Sequence, residues 1–284
     1  MGEPSRKYVD LIFKVSGKYG NWDPPRIVEV GDWGVIERVS GNFIREGNIF
    51  QDTECKVLLA DVPDTQLVRT GNPEDVIRIT ANAQMELDGS LFADMDTTGE
   101  VGVRVHSAWK FTPRNRAAIL TITDAYTHYL EIGTIFSKLQ SVRKLQGKAI
   151  VTEALRCPAY AMLLTNKGVG GKASLTLHTG LAEAGAALAG GGILGWKHSS
   201  ESGFWRTALG YRKVLEGEDA VFTPLFKLKK VSRSWRTRYR GPPTPGVTRE
   251  EPVSEDYLPP WQELDEDGEE ILVEDTSMPT DFGD

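Results

Sequence analysis

From Ile77 to Leu87 the chain alternates without a break: Ile77, Ile79, Ala81, Ala83, Met85 and Leu87 against Arg78, Thr80, Asn82, Gln84, Glu86 and Asp88. A period of two puts each set on its own side of a pleated strand, so the stretch predicts a strand with one apolar face. After the polar, glycine-containing DGSLFADMDTTGE, the pattern resumes. Val101, Val103, Val105, Ser107, Trp109 and Phe111 alternate with Gly102, Arg104, His106, Ala108 and Lys110. Together the two runs predict a long antiparallel hairpin. Eleven residues extend about 36 Å at ~3.3 Å per residue, beyond the usual five or six of a globular strand. They also match the roughly 9–11 residues of a tilted membrane-crossing strand. A half-buried sheet in water alternates in the same way, so the pattern fixes the local structure and leaves the surroundings open.

A second alternating stretch sets Ala173, Leu175, Leu177 and Leu181 against Lys172, Ser174, Thr176 and His178. The small-residue run LAEAGAALAGGGILG then leads to the strand-like GFWRTALGYRKV, giving a second hairpin over about 172–213. Gly190, Gly191 and Gly192 in succession argue against a stable helix between the limbs. Near the N-terminus, Tyr8, Leu11, Ile12 and Val15 fall at helical spacing among Arg6, Lys7, Lys14 and Lys18, with Gly17 and Gly20 as stops. This is an amphipathic helix, read either as a surface helix with one face in the core or as a lipid-contacting one. Short strands are expected at 26–30, 34–39 and 56–60, and mainly helix over 124–147. The fold class is therefore α+β: a twisted, mainly antiparallel sheet with an N-terminal amphipathic helix and further helices.

Charge divides the chain in two. Residues 227–240 carry seven Lys/Arg and no acid, whereas 250–284 carry fourteen Asp/Glu and no base. Removing those fourteen from the 40 acids leaves 26 against 33 Lys/Arg, so the net −7 conceals residues 1–249 at about +7. A body over 1–240 followed by a Pro/Gly linker and acidic tail over 241–284 suggests a segment that guards a cationic surface. Leu258, Trp261, Ile271, Leu272 and Val273 are too few among acids and prolines for the tail to fold alone, so docking onto the body is its route to order. GPPTPG cannot easily continue a sheet, which makes the stretch around Gly241, Gly246, Arg249 and Tyr257 the expected region of proteolytic cleavage.

Catalytic patterns are sparse. His106, His128, His178 and His198 are widely separated and lack metal-ligand spacing with Cys55 or Cys157. GVGGKAS departs from a phosphate loop, since Ala173 follows Gly171-Lys172 and Asn166 takes the place of the first glycine. No Gly-x-Ser-x-Gly elbow occurs. The expectation is no enzyme, no metal and no cofactor. Two cysteines, no secretory signal, no apolar run of about 18 residues and Arg6 in place of a myristoylation Ser/Thr lead to an expected cytoplasmic, reduced setting.

The stretch KYVDLIFKVSGKYGNWDPPRIVEVGDWGVIERV, then FIREGNIF and later FTPLFKL, resemble the fungal gasdermin-like proteins of regulated, pyroptosis-like cell death and allorecognition. The likeness runs over approximately residues 5–235, with GDWG and REGNIF its most specific blocks. It implies a latent pore-forming domain whose freed form binds acidic phospholipids, forms a homo-oligomeric ring and extends two hairpins into a large membrane β-barrel, at the plasma membrane or another cellular membrane. On this likeness Lys7, Lys14 and Lys18, with Lys227, Lys229 and Lys230 behind them, are the expected headgroup contacts. The inserting positions would be Ile77, Ile79, Ala81, Ala83, Met85, Leu87, Val101, Val103, Val105, Leu175 and Leu177. An activating protease, subtilisin-like or caspase-like, would remove the tail. The same opposed charges admit a nucleic-acid-binding module blocked by its own tail. A β-rich scaffold with a solubilising tail is a third reading. With the resemblance, no nucleic-acid partner is expected.

Overall fold

The computed structural model describes residues 3–63, 67–86, 101–180, 193–211, 221–231 and 254–271, with backbone alone for 101–104, 179–180, 193–194 and 231. Helix α1 (Pro4–Ser16) opens with proline, tolerated in a first turn where the N–H has no helical partner, and stops at Gly17. Tyr8, Leu11 and Ile12 are buried as their spacing predicts, but Val15 is 52% exposed. Next come β1 (Tyr19–Gly20), β2 (Asp32–Ile36), β3 (Phe43–Asn48) and α2 (Thr53–Leu59). These lead into β4 (Val68–Thr70), β5 (Glu74–Ala81), β6 (Ala83–Glu86), β7 (Val101–Phe111) and β8 (Ala118–Leu130). Helix α3 (Ile132–Leu139) precedes β9 (Ala149–Cys157), β10 (Ala159–Leu164), β11 (Gly171–Gly180) and β12 (Ile193–Ser200). β13 (Phe204–Leu209), β14 (Phe222–Val231) and β15 (Ser254–Asp256) complete the set.

The strands make two sheets, and the pairings between them are antiparallel. The larger runs β1-β14-β9-β8-β10-β13, with β15 added to β14, β2 and β3 attached through β9, and β4 and β5 on β8. The smaller runs β12-β11-β7-β6. Alternation along β8 and β10 explains how they stack. Leu120, Ile122, Met162 and Leu164 join Tyr8, Ile12, Phe136 and Leu139 in the main core, while Ile119, Ala161 and Leu163 face the other way. There they meet Trp109, Phe111, Ala173 and Leu175 of the small sheet. The Trp109 indole N–H also donates to Thr80 Oγ1 at 3.2 Å, and its ring lies 5.8 Å from that of Trp205.

Several expectations change. The family's β-barrel is overturned: among the described residues both sheets are open, and no pairing joins their ends. The alternating run 77–87 is not one strand. It breaks at Asn82, which adopts a left-handed φ of 57° and donates its side-chain amide to the Arg116 carbonyl at 2.9 Å. Asparagine is among the few residues that tolerate this backbone. β5 therefore enters the large sheet on β8, and β6 enters the small sheet on β7. Leu87 lies outside the described residues.

The second hairpin returns through β12, because β13 leaves to pair with β10. Gly203 makes that departure at φ 80°, where a Cβ would sit 2.2 Å from the Leu164 carbonyl oxygen. Residues 56–60 are mostly helix, since the Asp52 side chain caps α2 by accepting from the Cys55 N–H at 3.1 Å. No strand forms over 26–30, and 124–130 extends β8, leaving only Ile132–Leu139 as α-helix in that region.

Trp109→Ala should cost about 3–5 kcal/mol, the usual range for truncating a buried aromatic. Urea unfolding measures the loss, and faster amide exchange in β7 and β11 than in β9 would locate it at the joint between the sheets.

Candidate functional site

The acidic segment 254–271 lies across α1 and the outer edge of β14, and it is fastened by both apolar and charged groups. Trp261 is 8% and Leu264 4% exposed, both within the main core. The Trp261 indole N–H donates to Asp10 Oδ1 at 3.1 Å. Its ring closes over Gly41, where φ is 74° and an added Cβ would come 3.3 Å from the indole. Tyr19 donates its hydroxyl to the Tyr257 carbonyl at 2.8 Å, and the Tyr257 N–H donates to Leu228 O at 3.1 Å.

Arg6 and Lys7 are buried beneath this segment. Lys7 Nζ donates to the Leu264 and Asp265 carbonyls at 3.2 and 2.6 Å and stands 3.7 Å from Glu266. Arg6 donates to Gly268 O and, at 3.0 Å, to Arg38 O, with Glu269 and Glu270 at 3.5 and 3.6 Å. Glu270 in turn holds Arg38 through Nε at 2.8 Å and through Nη2. The Arg116 N–H donates to Glu266 at 2.5 Å, and Lys167 pairs with Asp267 at 2.5 Å. Along the edge, β15 sets Asp256 against Lys229 at 3.1 Å and Glu255 against Lys230 at 2.9 Å.

Magnitudes rank these contacts. Exposed ion pairs stabilise by about 0–1 kcal/mol each. Burying an aromatic and a leucine is worth on the order of 2–3 kcal/mol apiece. Trp261 and Leu264 therefore anchor the segment, and the charges set its register. Protonation follows the same geometry. The Arg38 hydrogen bond, with Arg6 behind it, draws the Glu270 carboxyl down from 4.5 to about 2. Burial opposes ionisation of Asp265, but the Glu269 and Asp267 N–H groups outweigh it and hold that carboxyl below its usual range. Burial also lowers the Lys7 ammonium, against the pull of Glu266.

The expected headgroup lysines divide into two groups. Lys7, Lys229 and Lys230 are met by the acidic segment. Lys14 pairs with Asp10 at 2.9 Å, while Lys18 and Lys227 share Glu153 at 2.8 and 3.9 Å. Ile77, Ile79 and Ala81 pack on the main core from β5. Ala83 packs on the second cluster, and Met85 on β6 is 41% exposed. Val105, Leu175 and Leu177 are buried, and Val101 and Val103 lie in β7. Tyr257 belongs to the docked segment and is half-buried there, and Gly241, Gly246 and Arg249 lie outside the described residues.

Asp10, Arg38, Arg116 and Lys167 were not singled out by sequence. Of the five apolar tail residues the sequence pointed to, Trp261 is in the core while Leu258 and Ile271 are exposed, and the second anchor, Leu264, was not among them. Among the described residues there is no cluster of three or more metal-ligating side chains and no helix long and apolar enough to cross a membrane. Neither a protein-family model nor a curated protein matches the chain.

Trp261→Ala should release the segment, raising amide exchange across 254–271 by at least about 100-fold, which corresponds to about 3 kcal/mol. Exchange in β9 should stay unchanged. Acid should also release it. Glu270 has a lowered carboxyl when docked, so its contribution is present above 4.5 and lost as pH falls from there toward 2. The Trp261 indole N–H resonance, followed from pH 7 to 3, reads that transition.

Proposed function

We propose that this chain is a latent membrane-permeabilising protein of gasdermin-like type, held inactive by its acidic C-terminal segment. Cleavage between the body and residue 254 frees the segment. The uncovered cations then bind acidic phospholipid, copies assemble, and the hairpin strands insert to open a pore. The observation that carries the reading is the burial of Arg6 and Lys7 under an acidic segment that also pairs Arg38, Lys229 and Lys230. A cluster of cations beside an amphipathic helix suits an anionic lipid surface. The alternating strands of the small sheet and the GDWG and REGNIF blocks support the same class. No chemical step is assigned to any residue.

Dye release from vesicles with and without anionic lipid tests this by comparing the full chain with residues 1–249. The expected result is leakage by the shorter form alone, confined to anionic vesicles. A folded 1–249 that leaves anionic vesicles intact overturns the proposal, and salt-dependent binding of single-stranded oligonucleotide by that form would favour the nucleic-acid reading.

Met85→Asp gives an independent check. Met85 is 41% exposed on β6, so the substitution should leave thermal unfolding within a few degrees of the parent. It should nevertheless reduce leakage by tenfold or more, because a charge on a lipid-facing strand costs up to about 2–4 kcal/mol at the midplane, less for acids than for bases. Undiminished leakage would remove Met85 from the lipid-facing set.

A further inference from the structure

We infer that the edge of β14 covered by the acidic segment is the docking site for strand β5 of a second copy, and that the segment blocks it by presenting the same acidic dipeptide. The inference rests on release of the segment as proposed above, and it names the surface through which released copies meet.

One edge of β14 is filled by β9. The other is capped in two pieces, by β1 opposite Leu225 and Phe226 and by β15 opposite Lys229 to Val231. Loss of β15 therefore opens a row of backbone donors and acceptors from Leu228 onward, ending at the limit of β14. Unpaired strand edges are templates for another strand, and lysines on such an edge select against most partners while favouring an acidic one.

β5 is such a partner. Among the described residues β8 is the only strand paired with it, so its other edge carries no strand. It begins with Glu74-Asp75, both exposed and engaged in no ion pair among the described residues. The docked segment presents Glu255-Asp256 to the same lysines. In the register used by β15, Asp75 comes opposite Lys229 and Glu74 opposite Lys230. Val76 then takes the place of Tyr257, whose N–H donates to Leu228 O. Donor and acceptor surfaces differ, so each copy can offer its β5 to one neighbour and its β14 to another. Such a heterologous contact propagates, closing into a ring when the rotation allows.

The test uses the full-length chain with the segment released by Glu255→Ala, Asp256→Ala and Trp261→Ala, followed by sedimentation velocity without membrane. This form should self-associate with concentration, whereas the parent stays monomeric. Adding Lys229→Glu and Lys230→Glu should weaken association by at least about tenfold, and adding Glu74→Lys and Asp75→Lys instead should do the same. An equimolar mixture of the two reversed forms should restore it, because each supplies the charge the other lacks. Restoration also shows that both forms are folded.

A released form that stays monomeric, association that ignores either reversal, or a mixture that fails to recover would each overturn the edge pairing. The readout is separate from leakage. Permeabilisation that ignores the reversals keeps the pore reading and removes this interface, while charge-dependent association without leakage does the reverse.

Discussion

Strand β8 is the pivot on which the fold depends, because both of its edges and both of its faces are used. Residues 118–123 lie between β10 and β5, while residues 126–129 pair with β9 and residues 128–130 with β4. The change of partner occurs at Asp124, which takes a left-handed φ of 50° and is gripped by the Tyr211 hydroxyl. That hydroxyl also meets Thr123 Oγ1 at 2.8 Å. Ile119 points to the small sheet while Leu120 and Ile122 point to the main core, all fully buried. A strand buried on both faces cannot slip by one residue without sending each side chain to the wrong layer. Its register therefore fixes the small sheet on one face and the layer containing α1 on the other. β1 joins α1 to β14 by pairing Tyr19 and Gly20 with Phe226 and Leu225, and the acidic segment spans the two.

The segment illustrates a division of labour between apolar and charged groups. Removing Lys7 and Arg6 from water costs energy that their partners only partly return. The body would gain little from covering them if Trp261 and Leu264 did not bring apolar area with them. Charges decide where the segment lies: Glu270 can bridge Arg6 and Arg38 in only one placement, and β15 aligns its two acids with two lysines. Affinity and placement thus come from different residues. A cut before residue 254 would leave both sets of contacts intact and remove only the tether that keeps the segment at high effective concentration.

Much of this was legible in the sequence where a pattern had a single physical solution. The helical spacing of Tyr8, Leu11 and Ile12, the alternation through 101–111 and 172–178, and the reversal of charge after Arg240 each specify an element or a division of the chain. What sequence left unresolved was partner choice. The run 77–87 keeps perfect alternation across Asn82, yet one residue in a left-handed conformation sends its two halves to different sheets. Alternation reports which face is apolar, and both sheets offer an apolar neighbour. Similarly, the helix expected over 124–147 starts only at Ile132, because residues 126–130 are taken up by pairing with β9 and β4. At the site, lysines were visible as charge, while Asp10 and Arg38 gain their importance only from contacts more than 200 residues away along the chain.

Net charge alone therefore overstates how the surface changes when the segment leaves. The body carries about +7 without the acids of 250–284, but its cations are not equally affected. Lys18 and Lys227 keep Glu153, and Lys14 keeps Asp10, whose other oxygen loses only the Trp261 indole. The cations whose acidic partners depart are Arg6, Lys7, Arg38, Lys167, Lys229 and Lys230, together with the Arg116 N–H that faced Glu266. Lys229 and Lys230 stand on the strand edge that opens in the same event. Coulomb repulsion within this set is short-ranged in salt, with a Debye length near 8 Å, so each local group of cations is driven to find anions of its own. A lipid surface can serve the group around α1, and an acidic strand can serve the pair on β14. One segment holds both demands in check because its acids are spaced along a chain anchored at Trp261, between the two groups.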